Sequence, residues 1–189
     1  MKRLITFSLL TLWFLSTAVF CFRQPRHEDD APLPPATQNG SETFACHVNG
    51  KSFIGTPYNC FFQYNPGRGR YYMSLTGKDK TYKYNEQYPW SIHLVSTFST
   101  WNIPNDTIIP LGFFIDSINS AEGIAFFTNE NRDYRDGRTD STHIGEMHIT
   151  RFDIYNYIIS GTFWFDAPNP YTGEIMHIRD GRFDVHFSD

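Results

Sequence analysis

From residue 174 to residue 187 the chain reads EIMHIRDGRFDVHF, a stretch in which apolar and polar residues alternate. This alternation is typical of a β-strand that has one buried and one exposed face. Asp180-Gly181 stands in the middle, and an Asp-Gly pair between alternating segments favours a two-residue hairpin turn. Pairing Arg179 with Arg182 across that turn predicts an apolar face that consists of Met176, Ile178, Phe183, Val185 and Phe187.

The other face of this predicted hairpin is mostly polar and holds Ile175, His177, Arg179, Arg182, Asp184 and His186. We expect Asp184 to be exposed there, opposite His177, and to contribute little to stability. Histidine and carboxylate side chains are ligands for zinc. Because Arg179 and Arg182 would repel a cation on that face, a solvated His–Asp pair is the preferred interpretation. The sequence therefore predicts neither a metal site nor a cofactor.

A second hairpin is predicted at the start of the domain, where residues 44–48 and 51–54 flank Asn49-Gly50. This register places Cys46 opposite Phe53. Five further candidate strands cover residues 71–76, 90–98, 123–128, 146–152 and 157–165, and at most one helical turn is expected within residues 108–120. With 17% aromatic residues, this pattern predicts one all-β domain over residues 44–189. We expect an antiparallel β-sandwich or barrel-like fold with hairpins at both ends.

The chain begins with the features of an export signal over residues 1–21. Lys2 and Arg3 precede an apolar run, and small residues follow at positions 16–18. Cys21 is a candidate for lipidation, although Phe20 stands where a small residue is usual. The alternatives are cleavage after Ala18 and an uncleaved anchor. We expect location in the periplasm, in the outer membrane or at the cell surface, with membrane contact only through this N-terminal anchor.

Residues 22–43 are rich in proline, charged and small polar residues. Such a segment buries too little apolar surface to offset its ordering entropy, so it is predicted to be a flexible, Pro-rich tether. The alternative is a frayed N-terminus of a secreted domain.

Charge and motifs exclude several classes of function. The formal net charge is −4, which disfavours nucleic-acid binding because such binding neutralises phosphates with clustered Lys and Arg. The chain holds no nucleophile elbow, zinc-protease helix, phosphate loop or dinucleotide fingerprint. We therefore assign no catalytic residues from the sequence.

Several strings in order resemble a known family: residues 33–40, 43–51 (TFACHVNGK), 145–153 (GEMHITRFD), 159–165 (ISGTFWF) and 178–185 (IRDGRFDV). Together they are similar to a Bacteroidetes family of exported lipoproteins that carries a domain of unknown function. The resemblance implies export, usually with a lipidated cysteine, and a β-rich domain. It implies no activity and no functional residues.

Two groups of side chains are candidate sites. Cys46 and Cys60 could form a disulfide in an oxidising compartment, or they could be two buried thiols. Four aromatic residues close together could stack on a flat ligand or a partner, or they could close the edge of the core; they are Tyr82, Tyr84, Tyr88 and Trp90.

A third segment, residues 129–140, loosely resembles a calcium loop. It lacks the required glycine and holds three arginines, so a polar surface loop is expected.

The sequence thus predicts an exported envelope or cell-surface protein that is non-catalytic and binds an unknown ligand or envelope partner. The alternatives are an exported hydrolase with an unrecognised active site and a purely structural surface protein.

Overall fold

The computed structural model describes residues 31–79, 86–112, 120–129 and 131–189. Within these residues the chain forms eleven strands and no helix, which confirms the all-β fold class. The strands are β1 (Thr43–Val48), β2 (Lys51–Pro57), β3 (Phe61–Asn65), β4 (Arg70–Asp79), β5 (Ser91–Phe98), β6 (Thr107–Leu111), β7 (Ala121–Thr128), β8 (Tyr134–Arg138), β9 (Gly145–Asp153), β10 (Ile158–Pro168) and β11 (Ile175–His186).

All eleven strands belong to one antiparallel sheet with the order β6-β9-β10-β11-β1-β2-β4-β5-β7-β8, and β3 pairs with β4. The sheet is not closed into a barrel. Its two halves pack on each other in a sandwich-like arrangement, because the ring of Phe165 in β10 lies over Gly123 in β7. A Cβ atom at Gly123 would lie 2.7 Å from that ring, so the close approach of the two layers requires glycine there.

The first hairpin is confirmed in its register. Val48 pairs with Lys51 and Cys46 pairs with Phe53. The turn residue Asn49 has φ 49° and Gly50 has φ 81°, as a type I′ turn requires. The inward side chains of this hairpin are almost fully buried and belong to the core.

The predicted hairpin turn at Asp180-Gly181 is wrong. β11 runs through both residues, and the strand that folds back on it is β10, across the turn that follows Pro168. Phe163 pairs with Gly181 and Phe165 pairs with Ile178, so Trp164 alone faces two residues of β11. This is a β-bulge, and Asp180 has φ 51°, in the left-handed region that Asp tolerates better than most residues.

The bulge explains why the predicted apolar face is nevertheless confirmed. One extra residue in a strand shifts the alternation of its side chains. The inward positions are therefore even-numbered before the bulge and odd-numbered after it. All five predicted residues lie in the core: Met176, Ile178, Phe183, Val185 and Phe187.

Three short strands are absent from the sequence prediction. β3 carries one buried residue and three exposed ones. β6 occupies part of the segment expected to hold a helical turn, and β8 lies in the expected polar loop. β6 and β8 are the two edges of the sheet. Short, polar or proline-containing edge strands limit unwanted pairing with other chains, and the same features weaken their sequence pattern.

Candidate functional site

Trp164 lies in β10, on the outer face of the sheet and in the third strand from one edge. It pairs across the strands with Glu146 of β9 on one side and faces the bulge of β11 on the other. The guanidinium carbon of Arg179 lies 5.3 Å from the centroid of its ring, within the range of a cation–π contact. Arg179 also contacts Asp166 at 2.6 Å and donates to the carbonyl of Phe165 at 3.0 Å. The charge of Arg179 is thus compensated, and its position beside the indole is fixed. Glu146, Trp164 and Arg179 form one row of side chains across three strands.

A second row of side chains runs parallel to the first, two residues earlier in β10. Thr162 of β10 pairs with His148 of β9 and with Arg182 of β11. Arg182 donates from Nε and Nη2 to the carbonyl of Asp180, at 3.2 and 3.1 Å, and from Nη1 to the carbonyl of Pro34 at 2.9 Å. A guanidinium has five N–H donors, so one remains on each terminal nitrogen. Within the described residues, all hydrogen-bond partners of Arg182 are neutral carbonyl oxygens.

These two rows line a solvent-open depression of about 440 Å³, which we call the polar recess. Ala36 contributes to its wall. Two further depressions, of about 360 and 520 Å³, meet the polar recess at Asp180. The recess can hold a small polar ligand through hydrogen bonds, one aromatic surface and one cation.

Residues 31–42, which we call the N-terminal arm, run along this same outer face. They contain no helix or strand, yet they are bonded to the sheet at several points. The hydroxyl of Ser52 donates to the carbonyl of Ala31, and Arg182 donates to that of Pro34. This docking differs from the flexible tether that the sequence predicts for residues 22–43, of which residues 22–30 lie outside the described residues.

The strongest attachment of the arm is to Asp184, which is only 1% exposed. Its carboxylate accepts five hydrogen bonds, from the hydroxyls of Thr37 (2.6 Å) and Ser160 (2.7 Å) and from the backbone N–H groups of Asn39 (3.0 Å), Gly40 (2.8 Å) and Ser41 (3.0 Å). Burial raises the pKa of this carboxyl, but its hydrogen bonds outweigh burial and hold the pKa well below its usual range. The prediction that Asp184 is exposed is therefore wrong, because the arm covers it.

The histidines of this face pair with other carboxylates than the sequence predicts. His177 lies 2.8 Å from Asp166, not opposite Asp184, and His186 lies 2.5 Å from Glu42 of the arm. Among the residues that the structure describes, no group of three His, Cys, Asp or Glu side chains could hold a metal ion.

The predicted aromatic site does not coincide with the polar recess. Tyr82 and Tyr84 lie outside the described residues. Tyr88 is partly buried and packs against the core. Trp90 lies under Lys78, whose Nζ is 5.5 Å from the ring centroid, and its ring is 6.3 Å from that of Tyr134.

The two candidate disulfide cysteines are free thiols. Cys46 faces the core, and burial raises the pKa of its thiol far above the usual value, which makes it unreactive. Cys60 is half-buried, and its Sγ lies 3.8 Å from the carbonyl of Thr76. Only Cys46 is fully buried, as the alternative of two buried thiols requires, and Cys60 is partly accessible. Cys21 lies outside the described residues.

Sequence reasoning missed the polar recess because the recess depends on contacts between distant segments. The two arginines were correctly placed on one polar face. The signal for the rest was the heptapeptide ISGTFWF, in which Trp164 places a large aromatic side chain at an outward position of the alternation.

Comparisons with protein-family models, with curated proteins and with solved structures find no match. The resemblance to Bacteroidetes lipoproteins therefore stays a prediction from the sequence. The described residues contain no helix long and apolar enough to cross a membrane.

We predict that Asp184→Asn lowers the free energy of unfolding by about 2–4 kcal/mol at pH 7, because three backbone N–H groups lose their charged acceptor. Chemical denaturation followed by tryptophan fluorescence measures this change. Asp180→Asn is the matched control on the same strand, since the side chain of Asp180 is 65% exposed, and it should change stability by less than about 0.5 kcal/mol.

The same substitution should alter the dependence of stability on pH. The pKa of Asp184 is lower in the folded chain than the unfolded value of about 3.9. Its contribution is therefore complete above about pH 4 and is lost as the pH falls through the folded pKa. Wild type should lose stability in that acid range more steeply than Asp184→Asn does. Equal stability of the two Asn variants at pH 7 would contradict the structural role of Asp184.

Proposed function

We propose that this protein is exported to the cell envelope or cell surface and binds a ligand in the polar recess without catalysing a reaction. The observation that carries the proposal is the hydrogen bonding of Arg182. Its guanidinium is held in place by three hydrogen bonds to carbonyl oxygens. Two N–H donors remain, in a concave site next to Trp164.

Fixing an arginine before the ligand arrives reduces the entropy that binding must otherwise lose. A guanidinium satisfied only by carbonyl oxygens keeps its full positive charge for an incoming group. An aromatic surface with a few placed polar groups is the usual composition of a small-molecule site. The recess therefore has the properties of a prepared binding site.

The side chains of the recess support binding better than catalysis. Thr162 is the only hydroxyl among the described residues that line it, and no cysteine lines it. Glu146, His148 and Asp180 could accept or donate a proton, but nucleophilic catalysis needs a nucleophile within hydrogen-bond reach of a base.

The alternative, an exported hydrolase, is favoured by one arrangement beside the recess. Nδ1 of His47 lies 3.0 Å from Asp180, and Ser52 pairs with His47 across β1 and β2. These are the residue types of a catalytic triad. However, the hydroxyl of Ser52 donates to the carbonyl of Ala31, and Asp180 is largely exposed. Because a triad needs the serine bonded to the histidine, binding is the better-supported function.

Export is tested by expressing the full chain in a Gram-negative bacterium and measuring the intact mass of the purified protein. We expect loss of residues 1–18 or 1–20, since the basic start and apolar run form a signal. A diacylglyceryl mass on Cys21 would establish the lipid anchor. A mass that retains Met1 would contradict cleavage.

Binding is tested by NMR with pools of saccharides, amino acids, short peptides and nucleotides. We expect at least one pool to shift the indole N–H signal of Trp164, which Trp164→Phe identifies, and Arg182→Lys should weaken that shift. The indole signal of Trp101, an exposed tryptophan that does not line the recess, is the internal control. Shifts confined to other tryptophans, or no shift with any pool, would contradict the proposal.

A further inference from the structure

We infer that the ligand of the polar recess is a saccharide that carries a carboxylate group. This inference rests on the binding function proposed above and assigns its chemical class. Three features of the recess support it. They are the guanidinium of Arg182, whose hydrogen bonds within the described part of the chain go only to carbonyl oxygens, the exposed part of Trp164, and the polar groups around them.

The carboxylate follows from Arg182. Its two remaining N–H donors lie on neighbouring terminal nitrogens, and such a pair can donate to the two oxygens of one carboxylate. Arg179 does not compete for the anion, because Asp166 already compensates its charge. The carboxylates of Glu146 and Asp180 also line the recess and would repel any negative group that Arg182 does not bind directly. The recess therefore fits one carboxylate and not a polyanion.

The sugar ring follows from the dimensions and the aromatic surface of the site. The recess covers the three strands β9, β10 and β11 and two rows of their side chains. The usual strand spacing and rise give this area dimensions of roughly 10 by 7 Å. Such an area fits one or two pyranose rings. Trp164 is half-buried, so part of its indole faces the recess. The electron-rich face of an indole attracts the weakly positive C–H groups of a sugar.

The hydroxyl groups of a saccharide also have partners in the recess. Glu146 can accept hydrogen bonds, and Thr162 can both donate and accept. An acyl chain would leave these polar groups unsatisfied, and a saccharide would not.

The test is isothermal titration calorimetry of the exported form of the chain with galacturonate, mannuronate and sialyllactose, each of which carries one carboxylate. Each acid is paired with its methyl ester, which removes the charge and keeps the ring. We expect at least one acid to bind ten-fold or more tightly than its ester. Short peptides with a free C-terminal carboxylate are titrated in parallel, because they test whether a carboxylate without a sugar ring binds as well.

Variants localise the binding to the recess. Arg182→Lys keeps the charge but loses the two-pronged geometry, so it should weaken the acid at least ten-fold and change the ester little. Trp164→Ala should weaken acid and ester alike. Arg135→Lys is the matched control, since Arg135 lies over Tyr171 and does not line the recess, and it should bind like wild type.

Three results would overturn the inference: equal binding of acid and ester, binding of peptides but of no saccharide, or no binding of any acidic saccharide. The first two leave the binding function intact, because a ligand still occupies the recess. That function fails separately, when no NMR pool shifts the Trp164 signal. An affinity of Arg182→Lys equal to that of wild type would also overturn the assigned role of Arg182.

Discussion

The buried carboxylate of Asp184 is the interaction on which the rest of the outer face depends. Removing a charged group from water is costly unless hydrogen bonds replace the lost hydration, and here the N-terminal arm supplies most of them. Attachment at this point lays the preceding arm residues over β11 and β1. The carbonyl of Pro34 then reaches Arg182, and Ala36 closes one wall of the polar recess. The site therefore requires residues that precede the first strand.

The bulge at Asp180 makes this arrangement compatible with the core. In an unbroken strand, the side chains of Met176, Ile178, Arg182 and Asp184 would share one face. The extra residue reverses the alternation, so that Phe183 and Val185 join the core while Arg182 and Asp184 face the arm. One local irregularity thus produces both a continuous apolar layer and a continuous polar one.

Local sequence signals predicted the local structure well. The Asn49-Gly50 hairpin and the buried side chains of β11 follow from turn chemistry and alternation alone. Asp180-Gly181 could not be assigned in the same way, since the pair suits a turn and a bulge equally, and only the partner strands decide. The burial of Asp184 was beyond sequence reasoning, because its arm partners lie 143 to 147 residues away in the chain.

The most direct test of this account is hydrogen exchange at the backbone N–H groups of Asn39, Gly40 and Ser41. If their bonds to Asp184 hold the arm to the sheet, these amides should exchange slowly, with protection approaching that of the amides in β10 and β11. Exchange at the rate of an unstructured peptide would show that the arm is free. The polar recess would then lose its wall, and the central claim would be contradicted.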